Sequence, residues 1–322
     1  MKTKPVVLLV EKIHPWYLAR LERRTRVVRP PSYDEDTLAA VCAAEQVDAI
    51  VIRTKGCVSR RIIAASPRLK VVGRHGIGVD HIDIAAATEA GVWVVNTPAG
   101  SRVAVAEHTW SMILALAKHT LAGDRAVREG RYEFREQHKS LQLEGKILGI
   151  VGLGRIGTTV AGIAVHGFGM KVLYTDIVRY KAKERRLHTR RLPLSTLLRR
   201  SDVVSVHTPL DDSTRGMIGS DELAWMKPTA FLVNCARGAI VNALAVAKAL
   251  KEGKLAGAGI DVFDPEIPPP DHPLLLTGKT VLSPHSAAQT PEANLGYAAV
   301  VEDVLKVLAG KLPAWPVNEP KR

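Results

Sequence analysis

Short apolar runs rich in β-branched residues recur along the first hundred positions, at 6–10 (VVLLV), 48–53 (DAIVIR), 69–73 (LKVVG) and 92–96 (VWVVN). Helix-compatible stretches such as 36–45 and 84–90 lie between them. A parallel neighbour strand needs a crossover about as long as a helix, so this alternation predicts a parallel α/β sheet. The run 101–123, rich in Ala, Leu, Met and Ile and without an internal turn signal, predicts one long helix that ends at Gly123 and joins two domains. After a polar stretch at 124–145 the rhythm restarts, with candidate strands at 146–151, 171–175, 202–207, 230–234, 258–262 and 280–283. Six strands with intervening helices predict a second, doubly wound sheet. The proline-rich 265–270 reads as a stiff connection, and 291–308 as a last helical pattern.

Composition narrows the class. A chain of 322 residues, 46% hydrophobic and 24% charged, can bury two cores, which excludes a disordered tail or a disulfide-stapled miniprotein. The most membrane-like stretch, 103–121, is broken by Glu107, His108, Lys118 and His119, so no membrane span is expected. Three cysteines without C-x-x-C spacing signal neither a disulfide framework nor a metal site and point to a reducing cytoplasm. A formal charge of +13 admits an anionic small molecule, a nucleic acid or an anionic surface. With aromatics at 5% and no nucleic-acid-binding module in view, no nucleic-acid partner is expected.

Candidate chemistry begins after the strand at 146–151, where Gly152, Gly154 and Gly157 form G-x-G-x-x-G (GLGRIG) ahead of a helix-forming run. Glycines there permit a tight turn and close backbone approach to a pyrophosphate, which the helix N-terminus attracts. Asp176 ends the next strand about 20 residues on, where a ribose 2′-hydroxyl needs an acceptor, and it would repel a 2′-phosphate. This favours NAD over NADP, with Arg179 and the basic run to Arg191 as the counterweight. Three further groups follow predicted strands, at the end where open α/β sheets bind ligands: Arg237, Glu266 and His285. A histidine can take a hydroxyl proton as hydride leaves the adjacent carbon. A carboxylate on its far nitrogen would fix its tautomer, and an arginine would grip a substrate carboxylate.

Together these residues resemble the D-isomer-specific 2-hydroxyacid dehydrogenase family, most of all its 3-phosphoglycerate dehydrogenase branch. The likeness runs from about Val51 to Thr290 through VIRTK, RHGIGVDHID, VNTP, VAEHT, GLGRIG, HTPL, NCARG, IDVF and SPH. It implies a catalytic set of Arg237, Glu266 and His285. It further implies cofactor contacts at Arg155, Ile156, Asp176, Thr208, Cys235 and Asp261, and a substrate carboxylate on the backbone of Ile77 and Gly78. The implied fold is two doubly wound parallel-sheet domains separated by a cleft. These would be a flavodoxin-like substrate domain at 1–100 plus 287–322 and a Rossmann NAD domain at 101–286. A homodimer through the cofactor domain and the long helix is implied as well. Because the chain stops at Arg322, the added regulatory domain common in the branch is expected to be absent.

Some positions depart from the family pattern, among them His75, His81, Ala104, Asn242, Ile267 and the stretch 286–290. If His75 faces the substrate it could narrow substrate choice. Arg53, Lys55 and Arg74 follow strands of the first domain, where a phosphate-bearing acid such as 3-phosphoglycerate would be held. Hydroxypyruvate, glyoxylate or another small 2-oxo acid would suit the catalytic trio equally, and the scaffold also serves non-catalytic, NADH-sensing corepressor-like proteins. The expected activity is therefore hydride transfer between NAD and a small anionic 2-hydroxy or 2-oxo acid, with the acid left open.

Overall fold

In the computed structural model, which describes residues 4–320, the chain divides into two units, Met1–Ser101 with Gln289–Arg322, and Arg102–Ala288. The first unit runs β1 (Val6–Leu9), α1 (Pro15–Arg24), β2 (Arg26–Val28), α2 (Glu35–Glu45), β3 (Ala49–Ile52), α3 (Arg60–Ala65), β4 (Val71–Arg74), α4 (Ile84–Glu89) and β5 (Trp93–Val95). Its five strands are all parallel, in the order β2-β1-β3-β4-β5. Every residue of β1 and β3 is buried, as expected of parallel strands covered on both faces. Leu38, Cys42 and Ile62 cover one face, and the C-terminal segment covers the other.

The second unit runs α5 (Arg102–Lys118), α6 (Thr120–Arg128), α7 (Phe134–Gln137), β6 (Ile147–Val151), α8 (Arg155–Phe168), β7 (Lys171–Thr175), α9 (Lys181–Leu187), β8 (Arg190–Arg191), α10 (Leu194–Arg200), β9 (Val203–Val206), α11 (Ser220–Trp225), β10 (Phe231–Asn234), α12 (Ala243–Lys251), β11 (Gly257–Ile260) and β12 (Thr280–Leu282). The chain then returns to the first unit as α13 (Pro291–Ala298) and α14 (Val300–Leu308). On α14 the buried residues Val300, Val301, Val304 and Leu305 form the stripe that a helix presents to a sheet. Gly73 makes the close approach possible, because a Cβ there would lie 2.6 Å from Val304 Cγ2.

Seven parallel strands order as β12-β11-β10-β9-β6-β7-β8, so the direction of strand addition reverses between β6 and β9. The crevice beyond the carboxyl ends of two such strands is where doubly wound sheets bind ligands. Three elements differ from the sequence expectation. Instead of running to Gly123, the long helix stops at Lys118, and His119 takes a left-handed φ of 52° before α6 begins. The stop is held from a distance: Leu141 N–H donates to Ala117 O (2.8 Å) and Lys118 Nζ to Leu141 O (3.0 Å). The short strands β2 and β8 also escape the pattern, β8 because it is two arginines inside a basic run. Among the described residues no helix is long and apolar enough to cross a membrane, and no cluster of side chains could hold a metal ion.

Candidate active site

At the end of β6, Gly152 turns with φ +95°, and a Cβ there would lie 2.8 Å from His207 O. Gly157 brings α8 against the strand, since its Cβ would fall 2.1 Å from Gly152 O. Gly154 differs from both: no atom lies within 4 Å of where its Cβ would be, and as N-cap of α8 it offers no side-chain cap. The first turn of α8 therefore meets open space that a pyrophosphate fits, Arg155 and Ile156 being its first two residues. Beyond β9, Thr208 Oγ1 is buried without a hydrogen-bond partner, as a group awaiting a ligand would be.

Asp176 closes β7 and stitches the loop, accepting from Leu153 N–H (2.8 Å) and Val178 N–H (3.0 Å). Three cations of the basic run that follows are occupied within the unit. Arg179 forks onto Glu184 at 3.1–3.2 Å, Lys183 lies over the Tyr180 ring and donates to Leu153 O, and Arg191 donates to Asp176 O. The arginine bond and that from Tyr174 hold the Glu184 carboxyl below its ordinary pKa.

The three proposed catalytic groups stand on successive strand ends. Asn234, last in β10, ties the Arg237 turn by accepting from Ala236 N–H (3.0 Å) and donating to Arg237 O (2.8 Å). Cys235 beside it is buried, its sulfur 3.8 Å from Met112 Sδ, and burial pushes its thiol up to about 12. Asp261 follows β11 and is fully buried. Burial alone would raise its pKa, but bonds from His108, the Ser283 hydroxyl and the N–H groups of Ser286 and Ala287 outweigh that and hold the carboxylate ionised. The main-chain carbonyl of Asp261 accepts from His285 N–H (2.7 Å), fixing His285 at a left-handed φ of 51°. In that position Nδ1 of His285 is hydrogen-bonded to Oε1 of Glu266.

In the first unit, Arg53 and Arg74 lie at the ends of the adjacent strands β3 and β4. Arg53 donates to Gln289 (3.1 Å), and Lys55 sits 5.0 Å from the centre of the Tyr33 ring. Arg74 curls over its own loop, donating to Gly78 O and His75 O at 2.6 Å each. Asn96 takes Ile77 O and Thr97 N–H takes Gly76 O. The loop carbonyls are thus engaged, while the N–H groups of Ile77 and Gly78 have no acceptor among the described residues. His75 is only 2% exposed, against the Tyr297 ring, and neither ring nitrogen has a partner. Burial first, and then Arg53 and Arg74, push its pKa down to about 4, so the imidazole is neutral. Sequence reasoning singled out neither Asn234 nor the His108–Ser283 pair as supports of the site. Both sit inside motif strings, but nothing in spacing shows what they bond.

The family model described as "D-isomer specific 2-hydroxyacid dehydrogenase, NAD binding domain" matches residues 110–287. A glyoxylate reductase of Korarchaeum cryptofilum is 37% identical across 98% of this chain and 96% of its own length. A D-3-phosphoglycerate dehydrogenase of Archaeoglobus fulgidus is 40% identical across 85% of this chain, which spans about half (52%) of that relative. Among solved structures, a glyoxylate reductase from Paecilomyes thermophila superposes with a TM-score of 0.89 at 29% identity, covering 100% of both chains. The chain belongs to the D-isomer-specific 2-hydroxyacid dehydrogenase family, whose substrates are small 2-hydroxy and 2-oxo acids and whose matched domain binds NAD(H).

Proposed function

We propose that this protein is an NAD-dependent oxidoreductase that interconverts a short, unphosphorylated D-2-hydroxy acid and its 2-oxo acid, of the glyoxylate or hydroxypyruvate type. The observation that carries the reading is the His285–Glu266 hydrogen bond at the edge of the sheet that bears the glycine loop. With Nδ1–H held by the carboxylate, Nε2 is the nitrogen left to exchange a proton. In oxidation His285 takes the hydroxyl proton at Nε2 while C2 loses hydride; in reduction it returns that proton to the carbonyl oxygen. The nicotinamide, when bound, accepts or donates the hydride. Arg237 polarises the carbonyl and grips the carboxylate; in the first unit, the N–H groups of Ile77 and Gly78, which have no acceptor among the described residues, suit an anion. Asp261 positions His285 through its main-chain carbonyl.

For the cofactor, we assign Gly152, Gly154, Arg155, Ile156 and Gly157 to the pyrophosphate, Asp176 to the ribose, and Thr208, Cys235 and Asp261 to its further contacts. NAD is favoured over NADP because Asp176 would repel a 2′-phosphate, and Arg179, which could offset that, is engaged by Glu184. Against a phosphorylated acid stand the engagements of Arg74 with loop carbonyls and of Lys55 with Tyr33. A second reading, 3-phosphohydroxypyruvate, is favoured by the adjacency of Arg53 and Arg74 on neighbouring strand ends. All three cysteines are unpaired, which suits the cytoplasm. We also propose a homodimer, with Leu121, Val127 and Tyr132, exposed apolar side chains on and just after α6, as candidates for its contact.

NADH and NADPH oxidation by the purified protein should be followed against glyoxylate, hydroxypyruvate, pyruvate, 3-phosphohydroxypyruvate and longer branched 2-oxo acids. Fastest turnover of a small unphosphorylated acid with NADH is expected. Preference for the phosphorylated acid would install the second reading. Tight NADH binding with no turnover on any acid would overturn the enzyme in favour of a sensor.

A further inference from the structure

A cavity of about 510 Å³ opens beside the first turn of α12, in the unit that carries His285. Its floor is apolar, built from the buried Ile260, Phe263 and Leu274. Its polar side holds hydrogen-bonding groups that the fold leaves unused. In the nine-residue α12 the Asn242 cap serves Ala245 N–H (3.0 Å), and the first helical bond runs from Val246 N–H to Asn242 O. The N–H groups of Ala243 and Leu244, both on the wall, therefore have no acceptor among the described residues. The exposed Arg215 guanidinium has no partner among them either. His272 is 5% exposed, and its Nδ1 is unbonded. Asp264, the wall's acid, is exposed like Arg215, so the two opposite charges offset and the two helix-end amides tip the wall towards an anion.

We propose that this cavity binds a small carboxylate with an apolar body, and that the bound ligand changes turnover through the backbone that carries Arg237 and Glu266. The link is steric. Gly238 lines the cavity, and a Cβ on it would lie 2.1 Å from Phe263 C and O and 2.6 Å from Asp264 N, so these two segments touch backbone to backbone. Arg237 precedes one segment and Glu266 follows the other by two residues. The coupling rests on the catalytic roles proposed for Arg237 and Glu266; the binding does not.

The test is calorimetric titration of the full chain, saturated with NADH, with indole-3-acetate and with its uncharged counterpart indole-3-acetamide. One-to-one binding of the acid is expected, about 10-fold weaker for the amide and for Arg215→Gln, where a charge-assisted contact is lost. Ala243→Pro deletes one N–H at the first helical position, where proline fits, and should weaken binding about 3-fold or more. Oxamate, an unreactive 2-oxo acid isostere, should not displace the ligand. Unchanged melting temperatures of both variants would certify their folding. Absence of heat at millimolar acid overturns the site. So does displacement by oxamate with full binding retained in Arg215→Gln, which places the carboxylate on the catalytic groups. For the coupling, indole-3-acetate should alter kcat for glyoxylate without competing with it, and Arg215→Gln should abolish the effect; binding with unaltered kinetics overturns it. Should the protein reduce no 2-oxo acid yet bind the probe with these variant effects, the dehydrogenase reading falls and the site stands.

Discussion

At the edge of the seven-stranded sheet the groups of the candidate site bond one another: Glu266 holds His285, and four donors surround the Asp261 carboxylate. At the edge of the five-stranded sheet Arg74 bonds to carbonyls of its own loop and Arg53 to Gln289, while His75 lies buried against Tyr297 with no hydrogen-bond partner for its ring nitrogens. Under the function proposed above, the first edge is ordered for proton transfer before any substrate arrives, and such preorganisation is where most catalytic stabilisation originates. The second has two backbone amides, those of Ile77 and Gly78, with no acceptor among the described residues. We read the difference as a division of labour, with the proposed proton transfer in one unit and the proposed choice of acid in the other.

The largest test of that division is His285→Ala. Removing the acid/base should lower kcat by about 10²–10⁴-fold on every acid that turns over, with NADH binding retained in a fluorescence titration. A loss confined to one substrate would mean that the two edges do not divide the labour as described.

Next in size is an acid effect at the other edge. The folded pKa of His75, about 4, lies below the ordinary 6.5, so the unfolded chain binds that proton more tightly. Stability is full above about pH 6.5 and falls as the pH drops towards 4, by up to about 3 kcal/mol from this residue. His207 in the seven-stranded unit, whose pKa desolvation pushes down to about 3, adds its own loss over a range that extends lower. Denaturant melts between pH 7 and pH 4 should show His75→Leu flattening the pH dependence without abolishing it. A variant as acid-sensitive as the parent would exclude His75 as a contributor.

A smaller effect is expected of the cofactor. Asp176→Ala should shift the NADH-to-NADPH ratio of kcat/KM towards NADPH by about 10-fold, one charged contact's worth. An unaltered ratio would mean that the ribose is read elsewhere. Smallest of all, Arg53→Gln should alter KM for glyoxylate only about 3-fold, the weight of a single exposed contact. A large and selective loss of 3-phosphohydroxypyruvate reduction in that variant would restore the phosphate reading.

How legible all this is in the sequence depends on how local the cause is. The strand runs at 171–175 and 230–234 match β7 and β10 closely, because parallel strands buried on both faces read as unbroken apolar segments. The glycine loop is legible too, since left-handed and crowded positions exclude other residues. The break at His119 is not, because its cause, the bond from Leu141 N–H to Ala117 O, lies beyond the helix itself. Neither is β8, whose two arginines qualify as a strand only by pairing with Leu173 and Tyr174.

By itself the sequence determined the α/β class and the glycine loop and singled out Arg237, Glu266 and His285 as candidates, since backbone period, glycine sterics and side-chain chemistry are properties of the residues themselves. Only the tertiary structure decided that Glu266 bonds Nδ1 of His285, that Asn234 and His108 brace the site, and that Arg74 is curled over its own loop. It also decided that the amides of Ala243 and Leu244 share one cavity with Arg215 and His272. Those outcomes depend on which hydrogen-bonding groups are brought within about 3 Å of one another, and that is settled by packing segments distant in the chain.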